Sequence, residues 1–336
     1  MKKEEREPIE WTNTWWAEAN TDHRRGLLIG DSTTRQLRGS MEALLTNLYA
    51  VDLFASSFSI HDKRLEDYID MLLRRDEYEY DFIVLHYGGH HGFSRLCSES
   101  SKEYEAYRKQ YTALLKSLTA KCKKIVCVTG TSEVLDTDVD TIDLKIESEI
   151  IARNQIVSDV AHANCVEIFD LYSLMKKNGG RYSYFDRQHF NRDSDYFISY
   201  RLLEFMMSKH VLSVELVKKQ HLQGRNRLAQ MAGNDKQYIV YGAGWMASEL
   251  YWTLKWYGME AAIRCFAVSH KMKEETFLEK PVVLISQLDI SERETCILVI
   301  SSDQYREEMY QMASALKIRN VIFYRDMINK LFDEEE

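Results

Sequence analysis

The chain has 336 residues, 45% hydrophobic and 29% charged, which is the balance of a soluble globular protein long enough for two domains. A formal charge of −8 argues against nucleic acid as the main partner, because phosphate binding needs a basic face. No run reaches the roughly 18 apolar residues that span a bilayer, and the charged start, Met1 to Pro8, lacks the apolar stretch of a secretory signal, so the expected compartment is the cytoplasm.

Residues 1–23 are polar with interleaved Trp11, Trp15 and Trp16, and read as an arm or short helix packed on the body. A strand is expected at Gly26 to Ile29, ending in Gly30-Asp31-Ser32, then a helix over 33–48 with Leu37, Met41, Leu44 and Leu45 on one face. Strands follow at 49–54, 81–87, 124–129 and 166–170, and helices at 65–73, 102–120, 143–162 and 193–207. This alternation predicts βαβ units: a mostly parallel sheet with helices on both faces, and ligands at the carboxyl ends of the strands. Residues 24–210 form this first domain, and the polar, helix-prone stretch 211–235 reads as a connector. The rhythm restarts over 236–332 with strands at 237–241, 263–267, 295–300 and 320–323 and helices at 245–257 and 303–316, a second and smaller α/β unit. The acidic end, Asp333 to Glu336, reads as a solvated tail. Cys97, Cys122, Cys127, Cys165, Cys265 and Cys296 have no zinc-type pairing and read as free, buried thiols.

Ser32 falls where a buried strand turns into a helix, so its hydroxyl sits at the sheet's carboxyl edge, beside N–H groups and a positive dipole end suited to an oxyanion. An ordinary helix cap would use the same residues. A serine hydroxyl needs a base at neutral pH. His189 lies in the irregular stretch Tyr184 to Phe190 before the first domain's last helix, and Asp186, three residues ahead, can orient its ring. Gly88-Gly89-His90-His91-Gly92 follows another central strand; its glycines allow close backbone approach, and the His91 ring can donate to an oxyanion. A metal reading of His86, His90 and His91 has no carboxylate or cysteine at a supporting spacing.

These blocks, in this order, resemble the SGNH (GDSL-like) hydrolase superfamily over residues 24–210. The resemblance implies a flavodoxin-like three-layer α/β/α fold, with Ser32 as nucleophile, His189 as general base and Asp186 as its orienting acid. It implies oxyanion donors at Ser32, Ser57, Gly89 and His91. Two positions depart from the family pattern: Ser57 stands where a glycine is usual, and His91 where an asparagine is usual. Asn154 resembles a recurrent helix asparagine of these proteins and is given no chemical role. The implied function is a serine esterase acting on a small acyl ester, such as an acetyl group on a carbohydrate or glycan precursor, with no cofactor required. The alternatives are an O-acyltransferase using the same three residues, and a non-catalytic binding protein that senses a nucleotide or sugar.

In the second unit, Gly242-Ala243-Gly244-Trp245-Met246-Ala247 has the Gly-x-Gly-x-x-Ala form between a strand and a helix. Gly242 permits the turn and Gly244 lets a pyrophosphate approach the helix start. No Asp or Glu ends the next strand, where Val268-Ser269-His270 stands. The unit resembles small Rossmann-like domains found beside bacterial sugar-modifying enzymes. A nucleotide or nucleotide-sugar ligand and a homo-oligomer contact are both readings of it. The aromatic stripe Tyr251, Trp252, Trp256 and Tyr257 favours packing or an interface.

Overall fold

In the computed structural model the alternating pattern folds as two units, Met1–Val214 and Glu215–Glu336. The described residues are 11–17, 24–73, 79–87, 102–135, 138–178, 184, 186–233 and 236–332.

The first unit runs β1 (Thr12–Trp15), β2 (Arg24–Gly30), α1 (Ser32–Leu44), β3 (Tyr49–Ser56), α2 (Lys63–Leu73), β4 (Tyr80–His86), α3 (Lys102–Lys121), β5 (Ile125–Val128), β6 (Val134–Leu135), β7 (Asp138–Ile142), α4 (Leu144–Ala163), β8 (Glu167–Phe169), α5 (Leu171–Lys177) and α6 (Arg192–Ser208). Its main sheet has the order β1-β3-β2-β4-β5-β8. All neighbours are parallel except β1, which runs antiparallel along β3. Counted along the chain, the parallel strands lie in the order 2-1-3-4-5, the flavodoxin-like winding, whose reversal falls between β2 and β4. The strands read as continuous apolar runs because both faces are covered.

Side chains alternate across the sheet. Leu27, Ile29, Phe54, Ile83, Leu85 and Cys127 meet α2, α3 and α4 through Leu65, Ile69, Tyr107, Tyr111, Leu115, Ile156 and Val157. Leu28, Leu53 and Val84 point to the opposite face, where α1 lies on β2 and β3 and packs against α6. Each fully buried aliphatic side chain contributes on the order of 1.5–3 kcal/mol. An exposed pair such as Arg24–Asp81, at 3.2 Å, contributes about 0–1 kcal/mol. The layered core therefore holds the unit, not its surface charges. Small residues bring α1 and α6 close: the hydroxyls of Ser40 and Ser199 lie 2.6 Å apart, and Ser40 Oγ also donates to the Asp195 carbonyl at 3.2 Å.

The second unit runs α7 (Val214–Ala232), β9 (Tyr238–Tyr241), α8 (Trp245–Trp256), β10 (Ile263–Val268), β11 (Thr276–Phe277), β12 (Lys280–Leu284), α9 (Ile290–Thr295), β13 (Ile297–Ile300), α10 (Arg306–Ala315), β14 (Val321–Phe323) and α11 (Tyr324–Phe332). Its sheet has the order β11-β12-β10-β9-β13-β14, parallel except for the short β11. The parallel strands follow a doubly wound 3-2-1-4-5 order that reverses between β9 and β13.

Several segments differ from their sequence reading, among them three that matter for the architecture. Part of the arm is a strand, β1, rather than a helix, because its backbone completes the edge of β3. The stretch read as a connector is largely the helix α7, almost all of it within the second unit. There Gly224 lets the Tyr257 ring approach so closely that a Cβ would stand 2.5 Å from it, and the His221 ring meets Trp256 edge-on at 4.9 Å between centroids. Strand β12 carries Pro281, which the sheet tolerates because the pairing with β10 begins at Val282. Cys122, Cys127, Cys265 and Cys296 are buried and free as expected, whereas Cys165 is exposed.

Candidate active site

The turn after β2 is built by local rules. Asp31 is the N-cap of α1, its side chain accepting from the Thr33 N–H at 3.0 Å. Ser32 is the first helical residue, so its N–H is one of the four that the first turn leaves without an intrahelical acceptor. Gly30 is required here: a Cβ would stand 2.2 Å from the His86 carbonyl and 2.0 Å from Thr34 Oγ1. This close crossing brings the ends of β2 and β4 together at the winding reversal.

The Asp186–His189 turn is also self-supporting. Asp186 Oδ1 accepts the N–H groups of Gln188 at 2.9 Å and His189 at 2.8 Å. Its Oδ2 lies 2.7 Å from His189 Nδ1, and His189 Nε2 lies 2.6 Å from Ser32 Oγ, across 157 residues of chain. With a neutral ring, these partners have Nδ1–H donating to Asp186 and Nε2 accepting from the Ser32 hydroxyl. Burial works against the Asp186 carboxylate, but the His189 ring and the two backbone donors outweigh it and hold the acid below the usual carboxylate range. Ser32 is buried and His189 half-buried.

Longer-range contacts fix this turn. Arg187, between the two residues, places Nε 2.8 Å from Glu133 Oε2 and Nη2 3.3 Å from Asp143 Oδ2, while its carbonyl accepts from the Val134 N–H at 3.0 Å. The latch thus ties the turn to β6 and to the residue following β7. Tyr184 and Phe190 bridge the turn's ends with their rings 4.7 Å apart, and Tyr184 Oη donates to the Ser132 carbonyl at 2.5 Å. None of these partners follows from the Asp-x-x-His spacing.

A cleft of about 470 Å³, part of it open to solvent, lies beside Ser32. Asp31, Thr33, His86, Gly130, Thr131, Ser132, Glu133, Ile150, Arg153, Asn154 and Gln188 complete its lining. Ile150 is the only aliphatic side chain of that lining. Asn154 acts structurally: its amide donates to the Gly130 carbonyl and accepts from the Gly130 N–H, both at 2.8 Å, clamping the loop after β5.

The structure corrects one expected donor. The Ser57 N–H donates to the Trp11 carbonyl at 3.1 Å, so it is committed to the edge strand and is not available to an oxyanion. Gly89 and His91, expected beside it, lie outside the described residues. Among the described residues no cluster of His, Cys, Asp and Glu is arranged to hold a metal.

In the second unit Gly242 and Gly244 form the turn between β9 and α8. Gly242 has φ +118°, and a Cβ there would meet Ser301 Oγ at 2.5 Å. Gly244 caps α8 without a side-chain acceptor and has open space around its Cβ position. That space suits a phosphate at the helix start. The end of β10 carries no acid for a ribose, and Ser269 there instead bonds the Tyr241 hydroxyl at 2.6 Å.

No family model matches the sequence, and no curated protein matches it. Among solved structures, the acetyl xylan esterase AlAXEase aligns at 19% identity and a TM-score of 0.42, over 54% of this chain and 98% of that one. Axe2, an acetylxylan esterase from Geobacillus stearothermophilus, aligns at 14% identity and 0.39, over 54% and 93%. LAE5, an alpha/beta hydrolase enzyme from the metagenome of Lake Arreo, Spain, aligns at 14% identity and 0.42, over 56% and 96%.

Proposed function

We propose that the first unit is a serine hydrolase of SGNH type that cleaves a small acyl ester, with an acetylated carbohydrate as the substrate class. The observation that carries this reading is the unbroken chain from Ser32 Oγ to His189 Nε2, at 2.6 Å, and from His189 Nδ1 to Asp186 Oδ2, at 2.7 Å. The chain ends at the carboxyl edge of the sheet and opens on a cleft.

In the proposed reaction Ser32 Oγ attacks the ester carbonyl as His189 Nε2 takes its proton, and Asp186 opposes the charge of the imidazolium. The tetrahedral oxyanion faces the Ser32 N–H and the positive end of α1, with the Gly89 N–H and the His91 ring as further proposed donors. Collapse breaks the bond to the alcohol, which leaves with the proton from Nε2. Water, deprotonated by His189, then releases the acyl group and restores Ser32. With Ile150 the only aliphatic side chain of the lining, the cleft supports a short acyl group, since a long chain would need a longer apolar wall. No step is routed through the second unit.

The test is hydrolysis of p-nitrophenyl acetate together with fluorophosphonate labelling. Ser32→Ala is expected to lower turnover on the order of 10⁴-fold and to abolish labelling. Labelling of the native chain at another residue, or unchanged turnover in Ser32→Ala, would refute the assignment.

A further inference from the structure

His86 ends β4 and has no part in the reaction above. In the sheet β4 lies between β2 and β5, so its last residue sits between the turn that carries Ser32 and the loop that follows β5. Both segments line the cleft, and His86 lines it between them. Gly30 pairs with His86 in register, on strands about 4.8 Å apart, and Ser32 follows Gly30 by two residues. Strand alternation gives His86 the same face of the sheet as Val84, the face on which α1 lies.

The ring is held by one edge. Its Nδ1 stands 3.4 Å from Thr34 Oγ1, and the same hydroxyl donates to the His86 carbonyl at 3.3 Å. Asp31 Oδ1 stands 3.9 Å from Nδ1, beyond hydrogen-bond distance. Nε2, on the other edge, has no hydrogen-bond partner among the described residues and is not shut off from solvent. The open space beside the ring is the cleft. With Nδ1 accepting from Thr34, a neutral ring carries its hydrogen on Nε2. The site has a use for such a donor. The Ser57 N–H is committed to Trp11, and a tetrahedral oxyanion is best held by more than the Ser32 N–H alone.

Resting on the esterase reading, we propose that His86 is a further catalytic residue, whose Nε2–H donates to the acyl oxygen as that oxygen gains charge. Ser32 Oγ bonds to the carbonyl carbon, the π pair moves onto the oxygen, and the hydrogen bond from His86 tightens without proton transfer. The serine proton still goes to His189 alone.

The two ring nitrogens can be tested apart. In His86→Gln the amide nitrogen can take the place of Nε2. In His86→Asn it can take the place of Nδ1 and keep the Thr34 contact. The readouts are kcat and KM on p-nitrophenyl acetate, the rate of fluorophosphonate labelling and the thermal midpoint. His86→Asn is expected to lower kcat on the order of 100- to 1,000-fold with KM little changed, and to slow labelling in parallel. His86→Gln is expected to recover kcat to within about tenfold of native. The opposite order, with Asn active and Gln not, means that the ring acts through Thr34 and overturns the proposal. Equal losses in both variants with a lowered thermal midpoint, as expected of a merely structural ring, or a kcat within about threefold of native in His86→Asn, overturn it too. In each of those cases the native chain still hydrolyses the ester and labels at Ser32, so the esterase reading stands. A native chain that does neither removes the esterase reading and this proposal with it.

Discussion

Replacing Arg187 by Gln tests what holds the candidate base in place. The change removes the charge-assisted contacts to Glu133, at 2.8 Å, and Asp143, at 3.3 Å, whose side chains are 7% and 11% exposed. Breaking a fully buried ion pair costs about 3–5 kcal/mol. Arg187 itself is 38% exposed, so solvent screening reduces the expected loss to roughly 2 kcal/mol. The Asp186 turn and the Val134 N–H to Arg187 carbonyl bond survive the substitution, so the turn should loosen rather than unfold. A shift of about 1 Å in a reacting group can cost on the order of 100-fold in rate. The expectation is a tenfold to hundredfold fall in kcat on p-nitrophenyl acetate with KM little changed, and a lower urea midpoint. Adding Glu133→Gln and Asp143→Asn to Arg187→Gln removes the stranded carboxylates, and should restore stability without restoring kcat. If kcat stays within twofold of the native value while stability falls, the latch does not position His189 and this reasoning is wrong.

Three further outcomes follow from the geometry. Burial raises the Asp195 carboxyl to about 7 from its ordinary 3.8, with Arg192 opposing and Asp193 adding to the rise, so the folded state loses stability progressively as pH climbs from about 4 to about 7. Asp195→Asn should therefore raise the urea midpoint at pH 8, by at most about 4 kcal/mol of stability, and by less than half of that at pH 5; equal shifts at both pH values would contradict this. Asn154→Ala strands the Gly130 N–H and carbonyl and should cost about 2 kcal/mol by urea unfolding, with Asn154→Asp recovering only the N–H partner. Gly30→Ala puts a methyl 2.2 Å from the His86 carbonyl and should lose several kcal/mol or fail to fold, read as soluble yield and thermal midpoint.

The legible part of the fold was the part encoded locally. Buried strands such as Leu27 to Ile29 and Phe82 to Leu85 and the amphipathic helices after them carry their period in a short window. Gly30-Asp31-Ser32 was readable because a glycine, a cap and a helix start each have a local signature. β6 escaped because it is only two residues long, β7 because it is short and rich in Asp and Thr, and β12 because Pro281 weakens a strand reading. The misread donor, Ser57, fails for the same kind of reason: its N–H partner is the carbonyl of Trp11, 46 residues earlier, and nothing near Ser57 announces it. The Arg187 latch joins residues 44 and 54 positions apart, which is equally silent in sequence.

What brings Ser32 and His189 together is least visible of all. Each turn supports itself, yet neither contains information about the other. Ser32 opens α1 and His189 precedes α6, so their separation is set by how closely those two helices pack. Ser40 on α1 and Ser194 and Ser199 on α6 are 3%, 0% and 0% exposed, although serine on a helix reads as a solvent-facing position. Buried there, their small side chains let the helices approach, and the Ser40 and Ser199 hydroxyls satisfy one another and a carbonyl instead of water. A larger residue at 40 or 199 would push α6 outward and draw His189 away from Ser32 while leaving every residue of both turns intact. The spacing of Ser32 and His189 is therefore a property of the helix interface, written in residues outside both turns.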